Sequence, residues 1–475
     1  MISYIKLKNF KSFSDVQLDL RGAHGIPKKV ALIYGENGSG KSNLMLAPLF
    51  VSQTFETMRK DDKLPVLDDL NGIGDEAFRN KIISEILKLR FASLEDLIGK
   101  YWTIGNENPM EIEIGFFHKN KSGRYQMVFS KNAVIKEELF YLVKQRSGRI
   151  FSITPKKVTL SPSVFANLKY KEELQELISK YWGKHTFMSI LYAEEKNKNQ
   201  KFFKESISKE LYDVLRMFKR LNVLYKGGNQ ETGRMAVPFR ILQELDAGNV
   251  KNSGRKQNKE LYVFEDILNQ YFTQLYSDIK KAYYKFKKEG NGYRYELYFD
   301  KVCGGSIRSI PVSLESTGTR KLLDDFPIFF TSAMGLTAFV DEVDSGIHDL
   351  LMNDILRLLK NAVDQTDEGQ FIATTHNTLL MDSVPADEVY VLKADAEGEK
   401  EIVCISDYRF RTQKANSVRH KYLDGCYQGI PETGYLDFAE LIDEAMELKS
   451  HTLEDSNEKD GAILSAINGN CPWII

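Results

Sequence analysis

Apolar and polar positions alternate through the first twenty residues, with Ile5 and Leu7 followed by Val16, Leu18 and Leu20, and this period of two predicts strands. Ala23-His24-Gly25 then reads as a turn. Lys29 to Tyr34 is a short apolar run ending in a glycine-rich loop, the pattern of a buried parallel strand. Alternation returns over 110–153 (Ile112, Ile114, Phe116; Tyr125, Met127, Phe129), with turns expected at Asn120–Gly123 and Ser147-Gly148. The middle of the chain changes period. Ile207, Leu211, Leu215, Phe218 and Leu221 keep 4-4-3-3 spacing, and Leu261, Phe264, Leu268, Tyr271, Leu275 and Ile279 keep roughly 3-4 spacing. Both predict amphipathic helices. Lys226 to Lys259, rich in Gly, Asn and charge, reads as a linker or mobile tip between them. A short coiled-coil hairpin and an ordinary helical lobe fit this middle equally well. After residue 290 strands are expected around Tyr293, Tyr295 and Leu297 and around Ile307, Ile310 and Val312. A helix should start near Ser316, and strands should cover Leu336–Val340 and Gln370–Thr374.

Composition narrows this picture only a little. With 475 residues, 65 Lys+Arg against 66 Asp+Glu and 42% hydrophobic residues, the chain has the make-up of a globular protein of two or three domains, or of one large domain carrying an insertion. The net charge of −1 gives no global attraction to nucleic acid, so any such contact must be local. From Glu432 to Asp460 ten acids stand against Lys449 and Lys459, which marks an acidic, solvated end. The four cysteines have neither C-x-x-C pairing nor zinc-ligand spacing. Neither a signal-peptide pattern at the N-terminus nor an uncharged stretch of membrane-spanning length is visible, so a cytoplasmic location and no membrane partner are expected.

The chemistry concentrates in a few short stretches. Gly35-Glu36-Asn37-Gly38-Ser39-Gly40-Lys41-Ser42 matches G-x-x-x-x-G-K-[ST] between an apolar strand and a helix opening with Asn43. Its glycines free backbone N–H groups to wrap phosphates, Lys41 is placed to reach the β/γ-phosphates of ATP, and the Ser42 hydroxyl to join Mg²⁺. Pro48 predicts a kink or early end for that helix. The acidic partner is expected where Leu336–Val340 ends in Asp341-Glu342, with Asp341 on the metal side and Glu342 placed to orient or deprotonate the attacking water. Asp341 lies 300 residues beyond Lys41, a separation that implies a nucleotide core split around a large insertion. Ser316-Thr317-Gly318 at a helix start offers an anion site. Asp344 follows the acidic pair, and His376 stands just past the strand ending at Thr374.

This set, in this order, resembles the ATP-binding-cassette ATPases of the SMC, RecF and OLD type, over residues 1–55 and about 290–430. The opening Ile5-Lys6-Leu7-Lys8-Asn9-Phe10-Lys11-Ser12-Phe13 is similar to that group's first strands. Ser316 and Gly318 look like its signature motif, Asp344 like its D-loop and His376 like its switch histidine. No glutamine among Gln126, Gln145 and Gln200 can be assigned to its Q-loop. Arg419-His420-Lys421-Tyr422-Leu423-Asp424-Gly425 with Gly429-Ile430-Pro431 resembles a C-terminal feature of ATPases from bacterial anti-phage operons, the RloA-like and PARIS-type groups. The resemblance implies an α/β fold: a P-loop ABC-ATPase head, with a mixed sheet plus an antiparallel β subdomain, split by a helical insertion. Residues 1–160 and 291–431 would form its halves, 161–290 the insertion and 432–475 an acidic segment.

It also implies a cofactor, ATP with Mg²⁺, and a homo-oligomer in which two heads sandwich nucleotide. Ser316 and Gly318 of one copy would then meet the γ-phosphate held at Lys41 of the other. The 44 residues after Pro431 are too few for the TOPRIM nuclease of OLD-family proteins, so a nuclease of that kind is expected as a separate effector partner. DNA is the competing partner. Lys280, Lys281, Lys285, Lys287 and Lys288 form a basic cluster, expected on a helix, that a RecF- or SMC-like repair ATPase would use.

Overall fold

The structure is a computed structural model that describes residues 1–58, 93–143, 146–165, 167–227, 230–251, 259–290, 292–408, 417–430, 437–443 and 446. Strands β1 (Ile2–Phe10) and β2 (Phe13–Asp19) form a hairpin, and β3 (Val30–Tyr34) leads through the Gly35–Ser42 loop into helix α1 (Lys41–Thr54). Helix α2 (Leu94–Tyr101) precedes five antiparallel strands, β4 (Met110–His118), β5 (Lys121–Phe129), β6 (Val134–Val143), β7 (Arg146–Thr154) and β8 (Lys157–Leu160). Four helices follow: α3 (Leu168–Tyr181), α4 (Phe187–Asn197), α5 (Gln200–Ser206) and α6 (Lys209–Lys219). Next come β9 (Asn222–Gly227), β10 (Gln230–Arg234), β11 (Ala247–Lys251), α7 (Lys259–Leu275), β12 (Ile279–Glu289), β13 (Gly292–Cys303) and β14 (Ser306–Pro311). The last stretch runs α8 (Thr317–Ala333), β15 (Thr337–Val340), α9 (Asp349–Asp364), β16 (Gln370–Thr374), β17 (Val389–Ala394), β18 (Lys400–Cys404) and α10 (Val418–Leu423).

The central sheet has the order β10-β9-β15-β16-β3-β17-β18, parallel from β9 to β17 with an antiparallel strand at each edge. Its two faces lie in two cores. Ala31, Ile33, Phe339, Ile372 and Leu392 face one, while Val30, Leu32, Ala338, Val340, Phe371, Ala373 and Val391 face the other. Burial on both faces explains why these strands are continuous apolar runs rather than alternating ones. The antiparallel sheet β2-β1-β4-β5-β6-β7-β8 supplies the first core, and β11, β12, β13 and β14 form a smaller sheet on the second. Buried Gln370 joins the first two sheets: its side chain accepts from the Ile2 N–H (2.7 Å) and donates to the carbonyls of Ile2 (2.8 Å) and Lys28 (2.9 Å). Glu137, fully buried on β6, accepts from the N–H groups of Phe187 and Met188 at the start of α4 and from Tyr125 and Trp182. Those donors are what make a buried carboxyl tolerable there.

Several expectations are corrected. The two periodic helices do not pair as a hairpin: α6 buries Leu211, Leu215 and Phe218 in the first core, and α7 buries Leu261, Phe264 and Leu268 in the second. The stretch from Lys226 is not a plain linker: it carries β10 and β11, and β9, which ends inside it, extends the central sheet beside β15. The lysine cluster at 280–288 lies on strand β12, where Ala282, Tyr284 and Phe286 turn to the core. Helix α1 passes through Pro48 without ending. Ser147 and Gly148 sit inside β7, paired with Leu142 and Tyr141. Gln145 and most of the acidic end lie outside the described residues. Met1–Ile430 is one compact unit and Pro431–Ile475 a second. Among the described residues no helix is long and apolar enough to cross a membrane.

Candidate functional site

Three adjacent parallel strands, β15, β16 and β3, end side by side, and the loops that follow them carry the sequence-selected residues. In an open parallel sheet this carboxyl edge is where a ligand crevice forms. After β3 the chain turns through Gly35, Gly38 and Gly40 at φ of 151°, 83° and 111°. All three lie in the region that favours glycine. Gly40 has a second constraint, because a Cβ there would meet Ser12 Oγ at 3.0 Å and the Phe13 ring at 3.1 Å. The β1–β2 turn therefore braces the loop, and Asn43 donates to Ser12 Oγ (2.8 Å) from the helix side. Lys41 is buried, and its Nζ donates to the carbonyls of Gly35 (2.8 Å) and Glu36 (2.9 Å). Burial pulls its pKa down while the charges of Asp341, Glu342, Asp344 and Glu36 act against that fall.

Asp341 follows β15 directly and has no exposed surface. Its Oδ1 accepts from Thr374 Oγ1 (2.7 Å), and the Ser42 hydroxyl also donates to the carboxylate. Burial raises the Asp341 pKa, and those two hydroxyls oppose the rise. Thr374 is a hinge of the site, since its Oγ1 also accepts from the Glu342 N–H (2.8 Å). Glu342 occupies the left-handed region at φ 48°, a conformation that costs a non-glycine residue on the order of 1–3 kcal/mol and gathers at functional sites. Lys226, from the supposed linker, donates to the Glu342 carbonyl (3.0 Å). Asp344 Oδ2 accepts from the His376 N–H (3.2 Å), and burial together with the Lys41 charge lowers the His376 pKa, favouring the neutral ring. Lys41, Ser42, Asp341, Glu342, Asp344 and His376 thus form one cluster.

Ser316 and Gly318 stand apart from it. Ser316 caps α8, its hydroxyl accepting from the Thr319 N–H (3.2 Å), and a Cβ on Gly318 would approach the Gly346 carbonyl to 3.0 Å. Among the described residues neither makes a hydrogen bond to the Lys41 cluster. Gln126 is occupied on the antiparallel sheet by Glu111 and Lys136, and Gln200 opens α5.

A family model described as "AAA domain, putative AbiEii toxin, Type IV TA system" matches residues 30–382, about three-quarters of the chain. The chain belongs to this AAA-domain family. It is thereby a protein of the AAA ATPase group. A solved structure, the SMC head domain from Thermotoga maritima, is similar at 15% identity, covering 85% of this chain and 98% of that one, with a TM-score of 0.35. No curated protein matches.

The site of this AAA-domain chain fits a nucleotide with its metal. Ser39 Oγ, Asp341 Oδ2 and Asp344 Oδ1 are buried with no hydrogen-bond partner among the described residues. Orphaned buried polar atoms are costly unless a ligand or water answers them. No group of three or more His, Cys, Asp or Glu suited to a metal occurs among the described residues. Mg²⁺ needs none, because it keeps its waters and takes one or two protein oxygens plus phosphate oxygens. Ser42 and Asp341 are the two oxygens on offer. Sequence reasoning missed Thr374 and Lys226. Thr374 was visible as the strand's end but not as a bridge, and Lys226 gave no signal, because its role depends on β9 joining the central sheet.

Proposed function

We propose that this AAA-domain protein binds ATP with Mg²⁺ in the Gly35–Ser42 loop and hydrolyses it, using nucleotide-dependent pairing of two heads to hold and release a separate effector. The observation that carries the reading is the convergence of Lys41, Ser42, Asp341, Glu342 and His376 at the carboxyl ends of β3, β15 and β16. In this reading Asn37, Gly38, Ser39, Gly40 and Asn43 line the phosphates, and Lys41 leaves the carbonyls of Gly35 and Glu36 for the phosphate oxygens. Asp341 and Ser42 hold the metal, Glu342 orients the attacking water, and neutral His376 contacts the γ-phosphate region. The bound metal supplies charge neutralisation on the phosphates. The effector, a TOPRIM-type nuclease being the leading candidate, and an anti-phage role are supported by the resemblance of the 419–431 stretch to defence-operon ATPases. The acidic end is an additional contact surface, and a cytoplasmic location agrees with this role. Isothermal titration with MgATP tests the site: Lys41→Ala should lose binding, whereas Glu342→Gln should bind and retain ATP unhydrolysed. Equal affinity of Lys41→Ala and wild type would remove the phosphate-loop assignment.

A DNA-binding repair ATPase is the second reading. Its observation is the outward row Lys281, Lys285 and Lys287 on β12 with Arg294 opposite Lys287 on β13, although Asp300 and Glu296 face Lys281 and Lys285 across the same pair. A salt-dependent affinity for duplex DNA that falls when these lysines are neutralised would favour it.

A further inference from the structure

The stretch from Ser417 to Ile430 has no part in the chemistry above, yet it lies against the first glycine of the phosphate loop. Helix α10 is fixed by an Arg419–Asp382 ion pair (3.0 Å), and the turn after it by Tyr408, whose hydroxyl donates to the Tyr427 carbonyl (3.0 Å). Between these anchors the chain bends sharply, with Gly425, Gln428 and Gly429 at φ of 74°, 61° and 74°. The bend brings Gly429 into a niche formed by Val391, Leu392 and Gly35. A Cβ on Gly429 would lie 2.4 Å from Val391 Cγ1, 3.5 Å from Gly35 Cα and 3.7 Å from the Leu392 carbonyl. Gly35 is tightly enclosed as well, since a Cβ there would reach the Leu392 carbonyl at 2.4 Å and Ser39 Oγ at 2.9 Å.

Tyr422 locks the bend. Its ring packs on that of Tyr34, the last residue of β3, at 5.5 Å between centroids, and its hydroxyl donates to the Gly429 carbonyl (2.9 Å). Tyr34 in turn donates to the Asn377 carbonyl (3.1 Å), next to His376. The phenol is 6% exposed, and burial lifts its pKa to about 12 while the neighbouring Gly35 N–H acts against that rise. One tyrosine therefore touches the residue before the loop and holds the glycine that backs the loop's first position.

We infer that Tyr422 and Gly429 form a strap that positions the Gly35–Ser42 loop in its phosphate-binding shape, so that they set nucleotide affinity without touching the reacting atoms. This rests on the reading that the loop binds nucleotide. The physical basis is preorganisation. A glycine-rich loop has many conformations, and apparent affinity falls by the fraction of time it spends outside the competent one. Removing the Tyr422 hydroxyl leaves the Gly429 carbonyl unanswered and frees Gly429 to move off Gly35, while the ring contact with Tyr34 is kept. Gly429→Ala acts more strongly, because the left-handed φ and the Val391 contact both oppose a Cβ.

The test uses the full chain, a fluorescent ATP analogue with Mg²⁺, and steady-state hydrolysis. Lys41→Ala is the control that must lose binding. Tyr422→Phe is expected to weaken analogue binding about three- to tenfold, the scale of one lost hydrogen bond. KM should rise by a similar factor while kcat and the thermal midpoint stay close to wild type. Gly429→Ala should weaken binding further. If Lys41→Ala loses binding while Tyr422→Phe and Gly429→Ala bind as tightly as wild type, the strap is refuted and the loop assignment stands. A Tyr422→Phe protein with lower kcat, lower thermal midpoint and unchanged KM would make the contact merely structural, which also overturns the inference. If Lys41→Ala binds like wild type, the loop reading and the strap fall together.

Discussion

Thr374 donates its single hydroxyl proton to Asp341 and accepts the Glu342 N–H with the same oxygen, so one side chain fixes both acidic residues. That link matters because Glu342 is held at φ 48°, and a strained residue keeps its geometry only while its neighbours enforce it. Thr374→Val keeps the shape and removes the bridge. It leaves the Glu342 N–H and Oδ1 of the buried Asp341 carboxylate each without the Thr374 hydroxyl, a change worth about 2–4 kcal/mol. We expect denaturant melts to show that loss in the nucleotide-free protein. ATP turnover should fall more than nucleotide affinity, because Lys41 and the loop glycines are untouched. A variant as stable and as active as wild type would show that the bridge does not hold Glu342.

Glu368, in the turn before β16, ties the central sheet to the β4–β5 hairpin, accepting from the His118 ring (2.9 Å) and from the Lys119 N–H (3.0 Å). Burial pushes this carboxyl up, but the His118 ring, the Lys119 N–H and the nearby charges outweigh it and hold the pKa at about 2 against an ordinary 4.5. The folded value is depressed, so the contribution is present above about pH 4.5 and is lost as pH falls through 2. The side chain is 33% exposed, and solvent screening trims the contribution to about 1–2 kcal/mol. Glu368→Gln should therefore unfold at lower urea than wild type at pH 7, with the gap narrowing steadily below pH 4.5; a pH-independent gap would mean the charge is not what stabilises the contact. No pattern in the chain announces this tie, since 249 residues separate Glu368 from Lys119. The parallel strands β3, β15 and β16 were legible because burial on both faces leaves a continuous apolar run. Strand β9 was not, with Lys226 and Gly227 at its end, and β12 was hidden by its lysines, only three of its residues after Ile279 turning inward. The candidate site divides the same way: Gly35–Ser42 and Asp341-Glu342 are contiguous words, whereas the partnerships of Lys226, Thr374 and Tyr422 exist only once the sheet has closed.

At the scale of the whole molecule the decisive feature is the separation of Ser316 and Gly318 from the Lys41 cluster. The start of α8 offers backbone N–H groups that suit an anion, and Gly318 backs onto Gly346, two residues past Asp344. A second copy would supply that helix start to the first copy's nucleotide, and bound ATP would then be an interface component answered fully only in the pair. Anything that binds the paired state alone shifts the equilibrium toward it in proportion to its concentration over its Kd. Glu342→Gln with MgATP should therefore elute and scatter light as a dimer, and the same protein with ADP as a monomer. Gly318→Arg in that background places a bulky charge at the contact without altering the Gly35–Ser42 loop. It should abolish the dimer while leaving the monomer's affinity for ATP within about twofold, since neither Ser316 nor Gly318 makes a hydrogen bond to the Lys41 cluster among the described residues. Persistence of the dimer in the double variant would place the pairing surface elsewhere, and a monomeric Glu342→Gln protein at saturating ATP would dismiss pairing by nucleotide altogether.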